Sequence, residues 1–216
     1  MSTDMSSTIF SPEAGRLYRT IAIAFTLWMV FWVPVILMTY GPDNFLWLCN
    51  ISQFLYLYAL WTRNSLLASS QAGILCIVGT VWTADFALGL LTGGQTAVMT
   101  HYMWMEEIPL IARASSLYHL FLPPLAIWMV HTLGYDRRAP WVQTGIGSVA
   151  LLLTALLTEP YRNINWLYAP FNIEQVWMPH WLYALLLLVA YPILLYWPGH
   201  AIVLGILRLL RANTGR

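Results

Sequence analysis

With 216 residues, 59% of them hydrophobic and only 9% charged, the chain departs far from a soluble domain, in which about 45–50% of residues are apolar and about 25% charged. That balance excludes a soluble core as its explanation. A net charge of +1, with ten basic residues that are all arginine and never more than two in a row, excludes a surface that neutralises many nucleic-acid phosphates. Nearly all of the length is taken up by apolar stretches and short connections, which leaves room for a single membrane domain.

In chain order, residues 1–16 are polar and rich in Ser and Thr and read as an N-terminal tail. The first apolar stretch follows Arg16 and Arg19 without a small-residue cleavage site, which fits a retained span better than a signal peptide. Six stretches, at about residues 17–38, 45–61, 66–91, 115–132, 141–158 and 180–210, approach or exceed the ~17 residues needed to cross as a helix. They are continuously apolar rather than alternating, so helices are expected and not a barrel. The predicted fold is all-α, a polytopic bundle of six transmembrane helices spanning residues 17–210, followed by a C-terminal tail at 211–216. Pro192 and Pro198 predict a kink, a break or a tilted long helix in the last span.

If the spans alternate, Arg16, Arg19, Arg63, Arg137, Arg138, Arg208, Arg211 and Arg216 share one side, leaving Arg113 and Arg162 on the other. This bias predicts cytoplasmic termini and integration into a cell membrane such as a bacterial inner membrane. The two long connections, at about 92–114 and 159–179, then lie outside, and their aromatics favour the headgroup zone. Glu106, Glu107 and Arg113 are expected to pair and pin the first of them.

Chemistry is sought where polar residues sit inside apolar spans. Cys49, Asn50 and Gln53 fall roughly 6–12 Å below the outer surface. Asp85 and His119 come to similar depths on the third and fourth spans, whereas the inner halves read as mostly Leu, Ile, Ala and Val. An intramembrane carboxylate is a functional candidate by default, and His119 is its expected partner, a base oriented by Asp85. The attacking group is open between Cys49, Ser52, Thr83, Ser116 and water, with the thiol preferred because an imidazole activates it most easily. Asn50 and Gln53, three residues apart, are expected to share a helix face and to stabilise developing charge or bind substrate, or else to join helices. Trp82 is counted with them as a substrate contact. Asn165, in the stretch Asn163-Ile164-Asn165-Trp166, is a candidate lid or clamp residue, with a capped turn as the alternative.

His101, Glu106, Glu107, His119 and His180 show no metal-ligand spacing, and His131 and His200 form no persuasive haem pair. No metal and no cofactor are therefore expected. Cys49 and Cys76 read as small buried hydrophobes.

The run Asp43-Asn44-Phe45-Leu46-Trp47-Leu48-Cys49-Asn50, entering a polar-dotted helix, resembles the YwaF-like integral-membrane family, whose motif has a Cys early in one span and a His in a later one. The androgen-induced-protein-like six-span lipid hydrolases, with a Thr and a His as reacting pair, are a looser analogue. The resemblance covers the second to fourth spans and implies Cys49 and His119 as the reacting pair of a hydrolase or acyltransferase. Trp47 stands where the family has a His before its Leu-Cys pair. The leading expectation is a lipid-directed hydrolase or acyltransferase using a His base, and the alternative is a non-catalytic subunit of a membrane complex in which the polar residues are helix glue. A small transporter ranks third. The expected partners are membrane lipids, other protein subunits or further copies of this chain.

Overall fold

The computed structural model describes residues 12–213, and all regular structure among them is helical. Five segments are long and apolar enough to cross a bilayer: Glu13–Tyr40, Ser65–Thr92, Leu110–Leu133, Ala139–Leu157 and His180–Ala212. Their outward faces carry side chains such as Met38 and Leu91, 86% and 83% exposed, as a surface solvated by lipid requires. Residues 1–11 of the expected N-terminal tail and 214–216 of the C-terminal tail lie outside the described residues. The rest of those two stretches belongs to helices, α1 (Pro12–Tyr40) at one end and α8 (Trp197–Asn213) at the other.

The expected count of six full spans is corrected at the second. Here α2 (Leu48–Thr62) has 15 residues, which rise about 22 Å against a hydrocarbon core of about 30 Å. Residues 45 and 46, assigned to that span, instead lie in a 3-10 turn, Pro42–Leu46. Gly41 reverses the chain at φ 80°, and Pro42, lacking an N–H, opens the turn without leaving a donor unpaired. At its other end α2 stops at Arg63 in the left-handed region (φ 53°), and the Asn64 side chain accepts the Leu67 N–H at 2.9 Å to start α3 (Ser65–Thr92).

α3 is the central helix and packs against α2, α5 (Tyr118–Leu133), α6 (Ala139–Leu157) and α8. Its buried positions include Ala68, Ser69, Ser70, Ala72, Gly73 and Gly79, small residues that let neighbouring backbones approach closely. A Cβ at Gly73 would press on the His200 ring, and one at Gly79 would overlap Pro123 of α5.

α3 closes at Gly93 (φ 62°), with the Gly94 N–H donating to the Gly89 carbonyl at 2.8 Å. The connection folds back through a 3-10 turn at His101–Trp104, and Trp104 rests on Gly89 and Gly94, where any side chain would overlap it. The fourth span is two helices, α4 (Leu110–Ser115) and α5, joined by a tightened turn in which the Ser116 and Leu117 N–H groups donate three residues back, at 3.0 and 3.1 Å. The last span runs from α7 (His180–Tyr191) through a π-helical turn at Pro192–Tyr196 into α8. The two prolines are therefore absorbed by a local widening of one continuous helical segment rather than by a break.

Candidate functional site

The polar residues singled out in the sequence sort into one shared cluster and several separate attachments. In the cluster, the Tyr118 hydroxyl donates to Asn50 Oδ1 at 2.6 Å, and Asn50 Nδ2 donates to the Asn44 carbonyl and side-chain oxygens at 2.7 and 2.9 Å. Cys49 Sγ stands 3.9 Å from the same Asn50 oxygen, and its thiol is free. His119 is buried and stacked on both faces, with ring centroids 4.0 Å from Tyr118 and 4.6 Å from Trp82. The stack continues from Trp82 to Phe86 and Trp104.

His119 Nδ1 lies 2.9 Å from the Ser116 carbonyl. A carbonyl only accepts, so Nδ1 carries the proton and the neutral ring keeps its lone pair on Nε2. The group that orients the imidazole is thus a backbone carbonyl exposed by the tightened turn before α5. Asp85, expected in that role, is engaged elsewhere. Its carboxylate accepts the Val98 N–H at 3.0 Å and the Thr100 N–H and hydroxyl, both at 2.7 Å, and so ties the connection after α3 back onto its own helix. None of its hydrogen bonds among the described residues goes to His119.

The other expected substrate contacts are also placed. Trp82 donates to the Tyr102 hydroxyl at 3.2 Å, and burial raises the Tyr102 phenol above its ordinary range, so it stays a neutral donor. Gln53 parts from Asn50: its Oε1 accepts from Trp28 of α1 at 2.8 Å, while Asn50 faces α5. Asn165 does not reach the cluster's histidine. It is buried, its Oδ1 accepts the Leu48 N–H at 3.0 Å, and its Nδ2 donates to the Leu46 carbonyl at 2.8 Å and Thr154 Oγ1 at 3.3 Å. Tyr191 donates to the Asn165 carbonyl. The Asn165 side-chain amide therefore caps the free N-terminal N–H of α2 and joins it to α6, while its backbone carbonyl holds α7.

The expected pairing of Arg113 with Glu106 or Glu107 is replaced by a bond from the Arg113 guanidinium to the Met103 carbonyl at 2.9 Å. Arg162 instead approaches Asp43 at 3.7 Å and donates to the Tyr40 carbonyl, pinning the second connection to the end of α1.

Sequence reasoning missed a second buried network. Ser52 donates to the Leu48 carbonyl and to Gln71 Oε1, both at 2.8 Å, and Gln71 Nε2 donates to Ser70 at 3.0 Å and to Gln143 Oε1 at 2.8 Å. His200 Nδ1 faces the Tyr135 hydroxyl at 3.1 Å, and Ser69 accepts the Asp136 N–H at 3.0 Å. The halves of the spans read as bare of polarity are thus polar where α2, α3, α6 and α8 meet. Counting depth from the other end of the spans would have found Gln71 and Gln143, about 9 and 6 Å in from Ser65 and Ala139.

Among the described residues no three His, Cys, Asp or Glu side chains gather as a metal-ligand group. Comparison with protein-family models, curated proteins and solved structures finds no match to this chain.

Proposed function

We propose that this protein is a non-catalytic component of a membrane assembly, its buried polar side chains serving to fix helices and to hold the two long connections over the bundle. The observation that supports this reading is the engagement of Asp85. The one intramembrane carboxylate of the cluster's helix is spent on three donors of the connection at Val98 and Thr100, not on activating a base. Asn50, Gln53 and Asn165 are likewise committed to helix and loop contacts. The distribution of arginine supports cytoplasmic termini in a bacterial inner membrane or its equivalent, with the short α2 returning the chain to the side where α1 begins, as the bond from Trp61 to Thr26 and the approach of Arg63 to Tyr18 support. The partners in this reading are other membrane subunits or further copies of the chain, together with lipid.

One observation favours the second reading, a hydrolase or acyltransferase acting on a lipid ester. His119 is held by stacking and by the Ser116 carbonyl in the tautomer a general base requires, in a cluster that includes Cys49.

The two readings separate on the purified full chain in mild detergent, incubated with fluorescent phospholipid esters and thioesters and sized by light scattering. The non-catalytic reading expects no turnover and a particle larger than one chain plus its micelle. Turnover that survives Cys49→Ala but disappears in His119→Ala, with the variant still folded, would replace it with water attack assisted by a His base. Turnover lost in both variants would make Cys49 the nucleophile.

A further inference from the structure

Where the end of α1 meets the connection that precedes α4, the structure has a groove of about 670 Å³, a volume in the range of ligand-holding clefts. Its walls include Val35, Met38 and Tyr40 from α1, Glu107 and Ile108 from the connection, and Ile111 from the first turn of α4. Because α4 packs against α1, the two walls are fixed relative to each other. Met38 and Ile111 stand exposed at its mouth, so the groove faces the surrounding lipid.

The lining is graded from charged to apolar with depth. One span ends at Tyr40 and another begins at Leu110, so Tyr40 and Glu107 both stand at headgroup level. Val35 lies about 8 Å deeper along α1, and the side chains at and below its level are apolar. That order matches the head-to-tail polarity of a phospholipid. Glu107 is the only charged side chain lining the groove among the described residues. Its nearest arginine in the sequence, Arg113, gives its guanidinium to the Met103 carbonyl instead, and no ion pair among the described residues engages Glu107. An uncompensated carboxylate at the rim repels anionic headgroups and attracts an ammonium. A primary ammonium also donates charge-assisted hydrogen bonds to it, which a quaternary one has no N–H to make.

We propose that this groove binds a phospholipid with a primary ammonium headgroup, phosphatidylethanolamine, its ammonium donating to the Glu107 carboxylate and its acyl chains lying along Val35, Met38, Ile108 and Ile111. Tyr40 forms the wall at the headgroup level, where phenol rings are favoured. Neither Cys49 nor His119 lines the groove, so the inference depends on neither reading of their cluster.

The test is native mass spectrometry of the full chain released from nanodiscs of equal parts phosphatidylethanolamine, phosphatidylcholine and phosphatidylglycerol. Wild type is expected to retain phosphatidylethanolamine in preference to the other two. Glu107→Gln should lower that preference about fivefold, the upper end for an exposed ion pair. Met38→Trp, which puts an indole across the mouth of the groove from an exposed position, should reduce the amount of phosphatidylethanolamine retained. Glu106→Gln removes the same charge one residue away, at a side chain that does not line the groove, and should leave the preference in place. Equal retention of the three lipids by wild type would overturn the proposal, as would an unchanged preference in Glu107→Gln. So would a loss as large in Glu106→Gln as in Glu107→Gln, because overall charge would then set the selectivity. A particle of two chains that retains no phospholipid would assign the groove to a second copy and overturn it as well. Glu106 and Glu107 are both exposed, so their variants are expected to fold, and thermal melting identifies any loss that comes from misfolding. The Glu107→Gln result stands on its own if Met38→Trp fails to fold.

Discussion

Each of the two long connections has one polar side chain that ties it to a helix through several hydrogen bonds at once, and the two work in opposite directions. Asp85 sits on the helix and grips the backbone of the connection, accepting from Val98 and Thr100. Asn165 sits on the connection and grips the backbone of a helix start, accepting from Leu48 and donating to Leu46. A carboxylate only accepts, so it suits a turn that presents several N–H and O–H donors at once. An amide both accepts and donates, so it suits a junction where an unpaired helix N–H and a turn carbonyl lie side by side. Asp85 keeps some contact with solvent, whereas Asn165 is buried. The deeper site uses the neutral group, as the cost of burying charge requires.

Asn165→Gly sharpens this contrast most. It tolerates the left-handed backbone at that position (φ 54°) and removes only the side chain, leaving the buried N–H of Leu48 and the half-buried carbonyl of Leu46 without this partner. Thermal or denaturant unfolding in detergent should show a loss of about 2–4 kcal/mol, from about 1–3 kcal/mol for each unsatisfied group. Asp85→Asn comes next. It turns an amide donor toward Val98 or Thr100, which are themselves donors, and should lose about 1–3 kcal/mol in the same assay. Equal losses for the two variants would contradict the stronger demand placed on the buried junction. Thr100→Val deletes one hydroxyl bond to Asp85 and leaves the backbone bonds in place. Its expected loss is about 1 kcal/mol.

The smallest effect belongs to pH. The Asp136 carboxyl is held below its usual range, first by the hydrogen bond from Arg138, at 2.8 Å on the bridge between them. Its folded value is depressed, so the stability it contributes is present above the unfolded carboxylate value of about 3.9 and is lost as pH falls through the lowered folded value. Arg138 is exposed, so the contribution is small. Melting temperatures of wild type and Asp136→Asn should agree more closely at pH 3 than at pH 7.

What the sequence made legible was which side chains are out of place in hydrocarbon. Asp85, His119 and Asn50 all turn out to make specific buried or half-buried hydrogen bonds, as does Asn165, which was noticed in a connection. What it hid was their partners. Side-chain identities suggested Asp85 with His119, yet apart from the Thr100 hydroxyl the partners of both are backbone groups, the N–H of Val98 and Thr100 and the carbonyl of Ser116. Backbone groups have no letter of their own in a sequence, and most side-chain hydrogen bonds go to them or to water. The helical fold was legible from apolar run length. The shortened α2 was not, because Phe45 and Leu46 are as apolar in a 3-10 turn as in a helix. Gln71 and Gln143 escaped notice for a different reason: an uncharged amide in a span barely lowers its hydropathy, and the pair acquires meaning only once α3 and α6 are seen to touch.

The central claim, that Asp85 is a clamp on the connection rather than part of a reacting pair, is tested most directly by amide hydrogen exchange of wild type and Asp85→Asn in detergent. The clamp predicts that exchange at Val98 and Thr100 rises by about tenfold or more, as for a loss of about 1.4 kcal/mol in local stability, while the Cys49 and Asn50 region stays protected. Unchanged protection at Val98 and Thr100, with altered exchange or titration at His119 instead, would contradict it.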